Sequence, residues 1–441
     1  MSAPSTTVTA FFELSATGGS FFTLDDPVRG ELDGATYTLA GVVGVPVDIT
    51  DDVRNVSITR GSTSTLFSAR TPPAGRWAVV LNNHDRRFDP TFIGSDFYGN
   101  IVPLRRVTIA SNGLTQADGN IEDWNFSYQP DGQSLATMDG SDALATLAAM
   151  ELAAFTATAS QLPGARIDAV LDRSEIAFTS NRDIDTGVST LQGDSVSANT
   201  NALQYLQTVA VSDWGTVFAA RDGRITFRDR HSNAGKTPIL FDDAGAGIKF
   251  QAIELNYGTE LLYNRVIIER TGGSAQTAQD ATSQTSYRVR TLSQSGLLMS
   301  SDALALDLAT YLVNVYKQPQ LRVASLTVEL AGLTASQQNS VLSLDLTSLV
   351  DVSWTPNQLG APTYLVDESS NQLVTEGGDK LVSGERVASP IARSCVVEGI
   401  QHQIGPDSHT VTLHLGDASF TSSFILDDAE FGVLDDDVLA F

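Results

Sequence analysis

The chain has 441 residues, 42% of them hydrophobic, and its 52 acidic and 27 basic residues give a net charge of −25. This length exceeds one ordinary hydrophobic core and predicts several domains, while the hydrophobic fraction excludes a disordered chain. The acidic excess argues against a protein that grips nucleic-acid phosphates, because such a protein needs a basic surface.

Cysteine usage and hydropathy narrow the class of protein further. Cys395 is the single cysteine, so no intrachain disulfide can form, and its apolar surroundings predict a buried, unreactive thiol. The first residues lack the basic and apolar regions of a signal peptide. The most apolar segment, 142–159, contains Glu151 and predicts a buried amphipathic helix capped by Ser141, so we expect no membrane segment.

Strands buried on one face are predicted in the first third of the chain, because apolar residues recur there with a period of two. These residues are Val56 and Ile58, then Trp77, Val79 and Leu81, then Val107 and Ile109. Residues 118–120 (Asp-Gly-Asn) predict a turn, after which Trp124, Phe126 and Tyr128 share one strand face.

Later segments alternate between helices and strands. Helices are predicted at 202–212, where Leu203, Leu206 and Val209 share a face, and at 302–316 after the N-cap Ser301. Other predicted features are strands near 253–255, 266–268 and 324–330, a hairpin turn at 221–224, a mobile loop at 271–286 and a closing β-hairpin at 397–415. This order indicates an α+β fold, mainly β, with at least two β-barrel-like domains.

The chain is divided into five parts on these patterns. They are an N-terminal arm (1–50), a first β-barrel-like domain (51–138), a mixed α/β domain (139–247), a second β-barrel-like domain (248–418) that includes helix 302–316 and a β-meander at 363–385, and a C-terminal arm (419–441). The meander follows a period of eight, which is typical of a barrel hairpin or of a projecting contact finger.

An arginine-rich connection of roughly twenty residues joins two of the first strands, and long ordered loops commonly serve binding. Its candidate interface residues are Arg86, Arg87, Phe88, Asp89, Arg105 and Arg106. One interpretation is that these arginines pair with carboxylates inside their own domain. The other is that they contact a second subunit or ring, since arginine suits bidentate pairing at interfaces.

The two chain ends carry similar peptides at a constant offset of 402 residues. The candidate interface residues are Phe22, Leu24, Gly30 and Leu32 in the first copy, and Phe424, Leu426, Gly432 and Leu434 in the second. Such a repeat predicts either two similar docking surfaces or two segments that each seal a sheet edge.

Catalytic motifs are missing from the sequence. It contains no Gly-x-Ser-x-Gly elbow, His-Glu-x-x-His helix or phosphate-binding glycine loop. His402, His409 and His414 lie close in sequence, but His409 and His414 fall on opposite faces of a predicted strand. We therefore expect no catalytic residues, no metal and no cofactor.

Four motifs resemble the minor tail proteins of long-tailed phages that infect actinobacteria. They are Val-Ser-Ile-x-Arg-Gly at 56–61, Val-Val-Leu-x-Asn-x-Asp-Arg-Arg-Phe-Asp-Pro at 79–90, Tyr-Gly-Asn at 98–100 and Pro-x-Arg-Arg-Val at 103–107. The ends of the chain agree with that family, and the resemblance is weakest at 171–296.

The resemblance implies a virion structural protein, not an enzyme. It would be a trimeric hub at the tail tip (baseplate) of a siphophage, assembled in the host cytoplasm, with two barrel-like hub domains in each subunit. The implied partners are two further copies of the chain, a distal tail ring or tail tube protein, the tape measure protein, other minor tail or tail fibre proteins, and phage DNA that passes during ejection without specific binding.

Two rival functions also agree with the sequence. A receptor- or glycan-binding tip protein would need an exposed aromatic platform, and only four tryptophans are present. A cell-wall hydrolase would need a carboxylate pair, which spacing alone cannot select among 52 acidic residues.

Overall fold

The structure is a computed structural model that describes residues 2–12, 45–62, 70–130, 132, 134–178, 181–356, 365, 367, 371–375 and 390–418. These residues form twenty-three strands and six α-helices. The fold is therefore mainly β with added helices, as the sequence predicts. Among the described helices, none combines the length and the apolar character needed to cross a membrane.

Seven strands come from the part of the chain before residue 142. They are β1 (Thr6–Phe12), β2 (Val45–Asp48), β3 (Val53–Gly61), β4 (Arg76–Asn82), β5 (Arg106–Ser111), β6 (Leu114–Tyr128) and β7 (Ser134–Ser141). A 3-10 turn at Thr50–Asp52 precedes β3. The period-two residues predicted for β3, β4 and β5 are buried, which confirms these three strands.

The middle of the chain is a mixture of helices and short strands. Its elements are α1 (Ala143–Ala149), β8 (Glu151–Leu152), β9 (Phe155–Ala157), α2 (Pro163–Leu171), β10 (Arg182–Ile184), β11 (Asp194–Val196), β12 (Thr200–Asn201), α3 (Ala202–Val211), β13 (Thr216–Ala219) and β14 (Ile225–Arg228). The predicted helix at 202–212 and the hairpin around 221–224 are confirmed by α3 and by the β13–β14 pair.

The remaining elements follow residue 238. They are β15 (Ile239–Asp242), β16 (Ala252–Asn256), β17 (Arg265–Arg270), β18 (Gln276–Gln279), α4 (Ala281–Tyr287), β19 (Thr291–Leu297), α5 (Asp302–Tyr316), β20 (Arg322–Glu329), a 3-10 turn (Leu330–Gly332), α6 (Ala335–Leu342), β21 (Leu349–Trp354), β22 (Ile391–Ile404) and β23 (His409–Asp417). The predicted helix at 302–316 is confirmed, and the Ser301 hydroxyl caps it by accepting from the Leu304 amide at 3.3 Å.

One sheet of thirteen strands contains two groups that repeat the same order. We call β1 and β3–β7 the first β unit, and β15, β16 and β20–β23 the second β unit. The first runs β3-β4-β7-β6-β5-β1 and the second runs β16-β20-β23-β22-β21-β15. Each strand of the first unit therefore has a counterpart at the same place in the second unit. The counterparts are β3 and β16, β4 and β20, β7 and β23, β6 and β22, β5 and β21, and β1 and β15. Within each unit these strands also occur in the same sequence along the chain. Neighbouring strands within each unit are antiparallel except β15 and β21, which are parallel.

Each β unit encloses its own apolar core, and two further cores lie in the helical parts. Burial of such side chains contributes roughly 1.5–3 kcal/mol for each large residue. The described strands form an open path and do not close into a barrel. The division into five domains therefore remains a prediction.

The helix predicted over 142–159 is wrong in its length and in its cap. α1 ends at Ala149, and Asp142 rather than Ser141 caps it by accepting from the Leu144 amide at 2.9 Å. Residues after 150 leave the helix because β8 pairs with β12 and β9 pairs with β11. Strand pairing at long range thus overrides the local helical period.

The turn predicted at 118–120 is also wrong, because these residues lie inside β6. The β5–β6 hairpin turns instead at Asn112 and Gly113, which both have positive φ. Gly119 is needed for close packing, since a Cβ atom there would lie 2.0 Å from the carbonyl oxygen of Ser141.

The mobile loop predicted over 271–286 contains β18 and α4 instead. Asp280 caps α4 by accepting from the Ser283 amide at 2.8 Å, and the buried Ser283 hydroxyl donates to the Lys317 carbonyl at 2.5 Å. Polar residues that indicated a loop are here the capping and linking groups of a short helix.

Candidate interaction site

The arginine-rich connection between β4 and β5 is built from successive tight turns. Backbone amides at every third position, from 86 to 98, donate to the carbonyl three residues earlier at 3.0–3.2 Å. The connection begins at Asn83, which is fully buried and accepts from the Phe88 amide through its side-chain oxygen at 2.9 Å. The long connection is therefore an ordered loop, held by its own backbone.

Phe88 anchors this loop in the core of the first β unit. Its ring is fully buried and lies 5.5 Å from the ring of Phe97 and 6.2 Å from that of Trp124. Phe97 in turn lies 4.8 Å from Phe12 of β1. The packing of these aromatic rings ties the loop to two different strands of the sheet.

Arg86 and Asp89 form the outer corner of the loop. The Nε and Nη2 atoms of Arg86 donate to one carboxylate oxygen of Asp89 at 2.9 and 2.7 Å. The other oxygen accepts from the hydroxyl and the backbone amide of Thr91. These hydrogen bonds, together with those from Arg86, lower the pKa of Asp89 to about 2. The Tyr128 hydroxyl also donates to Asp89 at 3.3 Å, which connects this corner to the end of β6.

The other arginines also have partners in the first β unit. Arg87 reaches Asp52 at 2.7 Å and lies over the ring of Phe97. Arg106 makes a bidentate pair with Asp118 at 2.9 and 2.6 Å, and this hydrogen bonding raises the pKa of Arg106.

Arg105 is partly buried, and its backbone carbonyl accepts from the Ile121 amide at 2.9 Å. The first interpretation predicts carboxylate partners inside the same domain, and such partners are present for Arg86, Arg87 and Arg106. Half of the Arg86 and Arg106 side-chain surface remains exposed, so their role at an interface stays a prediction.

The two β units join where β3 pairs with the second half of β22. Residues 56–61 run antiparallel to 404–399, and the Ser62 amide donates to the Glu398 carbonyl at 2.8 Å. The strands approach so closely at Gly61 and Gly399 that a Cβ atom on Gly399 would lie 1.9 Å from the Ser62 carbonyl oxygen. Gly61 also has φ of +73°, which glycine adopts without strain.

A buried ion pair lies beside this junction. Arg60 donates to Asp345 at 2.7 Å, and its side chain is only 3% exposed. The second oxygen of Asp345 accepts from the Arg221 amide at 2.9 Å. Because an unpaired buried guanidinium is costly, Asp345 holds the junction strand in place.

The sequence predicts both strands of this junction but not their pairing. The period of two identified 56–58 and 397–404 as strands, yet nothing local indicates that segments more than 300 residues apart pair. Gly61 and Gly399, which are partners in the pairing, are a signal in the sequence that agrees with the close approach.

Two of the three C-terminal histidines contact each other. The His402 Nδ1 and His409 Nε2 atoms are 3.0 Å apart, and both rings are buried. Burial lowers the pKa of His409 to about 4 and that of His402 well below its usual value, so both rings are neutral at neutral pH. His414 lies on the opposite face of β23 from His409, which confirms the predicted geometry.

Within the described residues, no group of three or more histidine, cysteine, aspartate or glutamate side chains is placed to hold a metal. Cys395 is buried, as predicted, and burial raises the pKa of its thiol to about 12. Both terminal peptides, with Phe22, Leu24, Gly30, Leu32, Phe424, Leu426, Gly432 and Leu434, lie outside the described residues, as does most of the predicted meander. Their roles stay predictions.

Comparison with known proteins gives matches in structure but not in sequence. No protein-family model and no curated protein matches the chain. The 43 kDa tail protein of prophage MuSo2 from Shewanella oneidensis superposes with a TM-score of 0.52 at 13% identity, over 86% of this chain and 95% of that chain. A tail protein from Neisseria meningitidis MC58 also has a TM-score of 0.52, at 11% identity, over 85% of this chain and 94% of that chain.

Identities this low establish a shared fold and nothing further. The chain therefore has the fold of these two tail proteins.

Proposed function

We propose that the chain is a virion structural protein, the trimeric hub of a phage tail tip, which joins the tail tube to host-contact proteins. The fold shared with two tail proteins and the sequence resemblance to actinobacteriophage minor tail proteins support the same role. Fold alone does not define function, so the proposal depends on a structural feature that suits a hub.

That feature is the repeated strand order of the two β units. One chain holds two units with the same order along the sheet, joined edge to edge through β3 and β22. Three copies arranged around an axis would present six similar units to a six-fold tail tube and a three-fold face to the tip. A chain with a single unit could not reconcile these two symmetries in this way.

The acidic composition suits a hub around a DNA path. A trimer would carry three times the −25 of one chain, −75 in all. Acidic walls would repel phosphates and let DNA slide through during ejection. Solubility of the free protein is the other role that this charge would serve.

The terminal peptides fit the same assembly. Two similar peptides on each of three chains make six arms, which matches a six-fold neighbour. We propose that Phe424 and Leu426, like Phe22 and Leu24, occupy apolar pockets of the neighbouring ring. Changing Phe424→Ala together with Leu426→Ala should leave the trimer folded and reduce its joining to isolated tails. Normal joining by this double variant would contradict the docking role of the arms.

The test of the main proposal is the location and copy number of the protein in virions. Antibody labelling seen by electron microscopy should mark the tail tip, and quantitative mass spectrometry of isolated tails should give three copies per tail. Labelling along the whole tail, or a count of one or six, would overturn the proposal. Zymography with host peptidoglycan tests the hydrolase alternative, and reproducible clearing that one carboxylate substitution abolishes would support that alternative.

A further inference from the structure

We propose that β16 of one subunit pairs with residues 123–128 of β6 in a neighbouring copy, so that the junction inside each chain is repeated between chains. This inference rests on the proposed trimeric hub and names the surfaces that would hold it together. It follows from three observations: the internal junction as a template, the matching position of both edges in the repeat, and the exposure of apolar side chains on those edges.

The template is the β3–β22 junction. β22 pairs with β21 through residues 391–396 and with β3 through residues 399–404, while β23 covers its other side. β22 is long enough to serve two strands in turn along one edge. β21, from the same unit, pairs with the first half of that edge. β3, the edge strand of the other unit, pairs with the second half.

β6 has the same construction as β22, but the second half of its edge is vacant within the described residues. β5 pairs with residues 114–120, and β7 covers the opposite side through residue 128. Both long strands have a β-bulge at the changeover, between Ile121 and Asp123 in β6 and between Val397 and Gly399 in β22. No strand of the described chain pairs with 123–128 on the β5 side.

The equivalence extends to single backbone bonds at the bulge. The Ile121 amide donates to the Arg105 carbonyl at 2.9 Å, and the Val397 amide donates to the Ser348 carbonyl at 2.9 Å. Residues 123–128 therefore correspond to 399–404, the segment that receives β3.

β16 corresponds to β3 in the repeat. Val56 of β3 lies opposite Val79 of β4, and Ile253 of β16 lies opposite Leu326 of β20. β16 ends the sheet path, so its second edge is vacant within the described chain. The edge that β3 uses to join β22 is thus the one that β16 leaves open.

Apolar side chains on the open edges of β16 and β6 are exposed, whereas their counterparts in the β3–β22 junction are buried. Ile58 of β3 is fully buried, whereas its counterpart Leu255 is 41% exposed. Ile404 of β22 is 6% exposed, whereas its counterpart Tyr128 is 54% exposed. Apolar residues that the junction buries in one pair of strands are left open in the other pair.

The register of the junction, carried over to the open edges, brings apolar side chains together on one face. The expected pairs on that face are Ile253 with Tyr128, Leu255 with Phe126, and Tyr257 with Trp124. On the other face, Glu254 lies opposite Ser127 and Asn256 opposite Asn125. Apolar pairs on one face and polar pairs on the other are what a strand pair with one buried face requires.

The occupant of each edge is a second copy of this chain. An interface between two different surfaces of the same protein is heterologous, and it closes into a ring when the rotation between copies divides a full turn. Three copies close the ring that the proposed hub needs. Exposed strand edges with apolar residues also attract unwanted pairing unless a partner covers them, which favours a permanent contact.

Cross-linking tests the register. The double variant Glu254→Cys with Ser127→Cys, treated with a short bismaleimide, should give covalent dimers and trimers on a denaturing gel. The matched control is Ser57→Cys with Gln403→Cys, the equivalent pair inside the chain, which should link within one monomer and gain only the mass of the cross-linker. The wild-type chain, with the buried Cys395 alone, should give neither product. Absence of the intermolecular product from a trimeric double variant would overturn the register.

A charge on the edge tests the interface itself. Leu255→Lys should abolish the trimer in sedimentation velocity, while Leu306→Lys, on α5 and also 41% exposed, should leave it intact. A trimer that survives Leu255→Lys would overturn the inference and leave the proposed hub standing. A wild-type chain that is monomeric at every soluble concentration would also overturn the inference. Absence of antibody label from the tail tip of wild-type virions, in contrast, would overturn the proposed hub function.

Discussion

Leu104 and Thr347 occupy equivalent positions in the two β units and share an unusual backbone conformation. Their φ angles are +63° and +67°, a left-handed region that side-chain-bearing residues rarely adopt. Each donates its amide to the bulged long strand, Leu104 to the Ile121 carbonyl at 2.7 Å and Thr347 to the Val397 carbonyl at 2.8 Å. The chain therefore adopts the same strained backbone conformation twice, at the points where the pairing of β5 with β6 and of β21 with β22 ends.

The first prediction concerns that strain. Leu104 is 77% exposed, so removal of its side chain costs little packing. Leu104→Gly should have a free energy of unfolding about 1 kcal/mol higher than that of Leu104→Ala, because glycine adopts positive φ without a Cβ clash. At Leu306, on the exposed side of α5, the order should reverse by about 1 kcal/mol, because glycine weakens a helix interior. Urea unfolding of the four variants decides this, and the same order at both sites would refute the assignment of strain.

A second prediction addresses the close approach at the junction. Gly399→Ala should lower the free energy of unfolding by about 2 kcal/mol or more, because the added methyl group would push β22 away from Ser62. Gly332→Ala is the control, since a Cβ atom there meets no atom within 4 Å, and its effect should stay within about 0.5 kcal/mol. Equal effects of the two substitutions in denaturant unfolding would show that β3 and β22 are not in close contact.

The ion pair of Arg60 and Asp345 gives a third prediction. Asp345→Asn leaves the buried Arg60 guanidinium without its counter-charge and should lower the free energy of unfolding by roughly 3 kcal/mol. Asp118→Asn removes the partner of Arg106, whose side chain is 53% exposed, and should cost at most about 1 kcal/mol. Thermal or urea unfolding of both variants measures the difference, and a smaller loss for Asp345→Asn than for Asp118→Asn would be the contrary outcome.

A fourth prediction follows from the buried His402–His409 pair. Burial lowers the pKa of His409 from 6.5 to about 4, so the unfolded chain takes up a proton in this interval and the folded chain does not. The free energy of unfolding of the wild type should be highest above pH 6.5 and should decrease as the pH falls toward about 4. The contribution of His409 to this decrease should be about 3 kcal/mol at most.

His409→Gln should remove part of that decline, so that the difference in unfolding free energy between variant and wild type narrows on going from pH 7 to pH 5. Parallel stability curves for wild type and His409→Gln would contradict the proposed titration.

Local patterns in the sequence predicted individual elements well. The period of two identified β3, β4, β5 and β20, and the N-cap Ser301 with its apolar face identified α5 from its first to its last residue. These signals are local, because side-chain direction repeats every two residues in a strand and about every 3.6 in a helix. The order of the predicted elements also gave the α+β, mainly β expectation, and the acidic composition argued against a surface that grips nucleic acid.

Predictions failed where a distant segment competes with the local pattern. The helical period continues past Ala149, yet residues 151–157 leave the helix to pair with β12 and β11. Gly119 resembled a turn residue but is required by the approach of the Ser141 backbone. The polar residues at 271–286 resembled a loop because nothing local shows that Ser283 is buried against Lys317.

The sequence by itself therefore determined individual elements such as β3, β4, β5, β20 and α5, the acidic net charge and the two similar terminal peptides. The tertiary structure alone decided that β3 joins β22 and that the two β units repeat one strand order. It also decided that, among the described strands, none pairs with the second edge of β16 or with the end of β6 on the β5 side. Pairing between strands some 340 residues apart depends on which edges the rest of the fold leaves free, and a pattern that reports only the facing of each side chain does not contain that information.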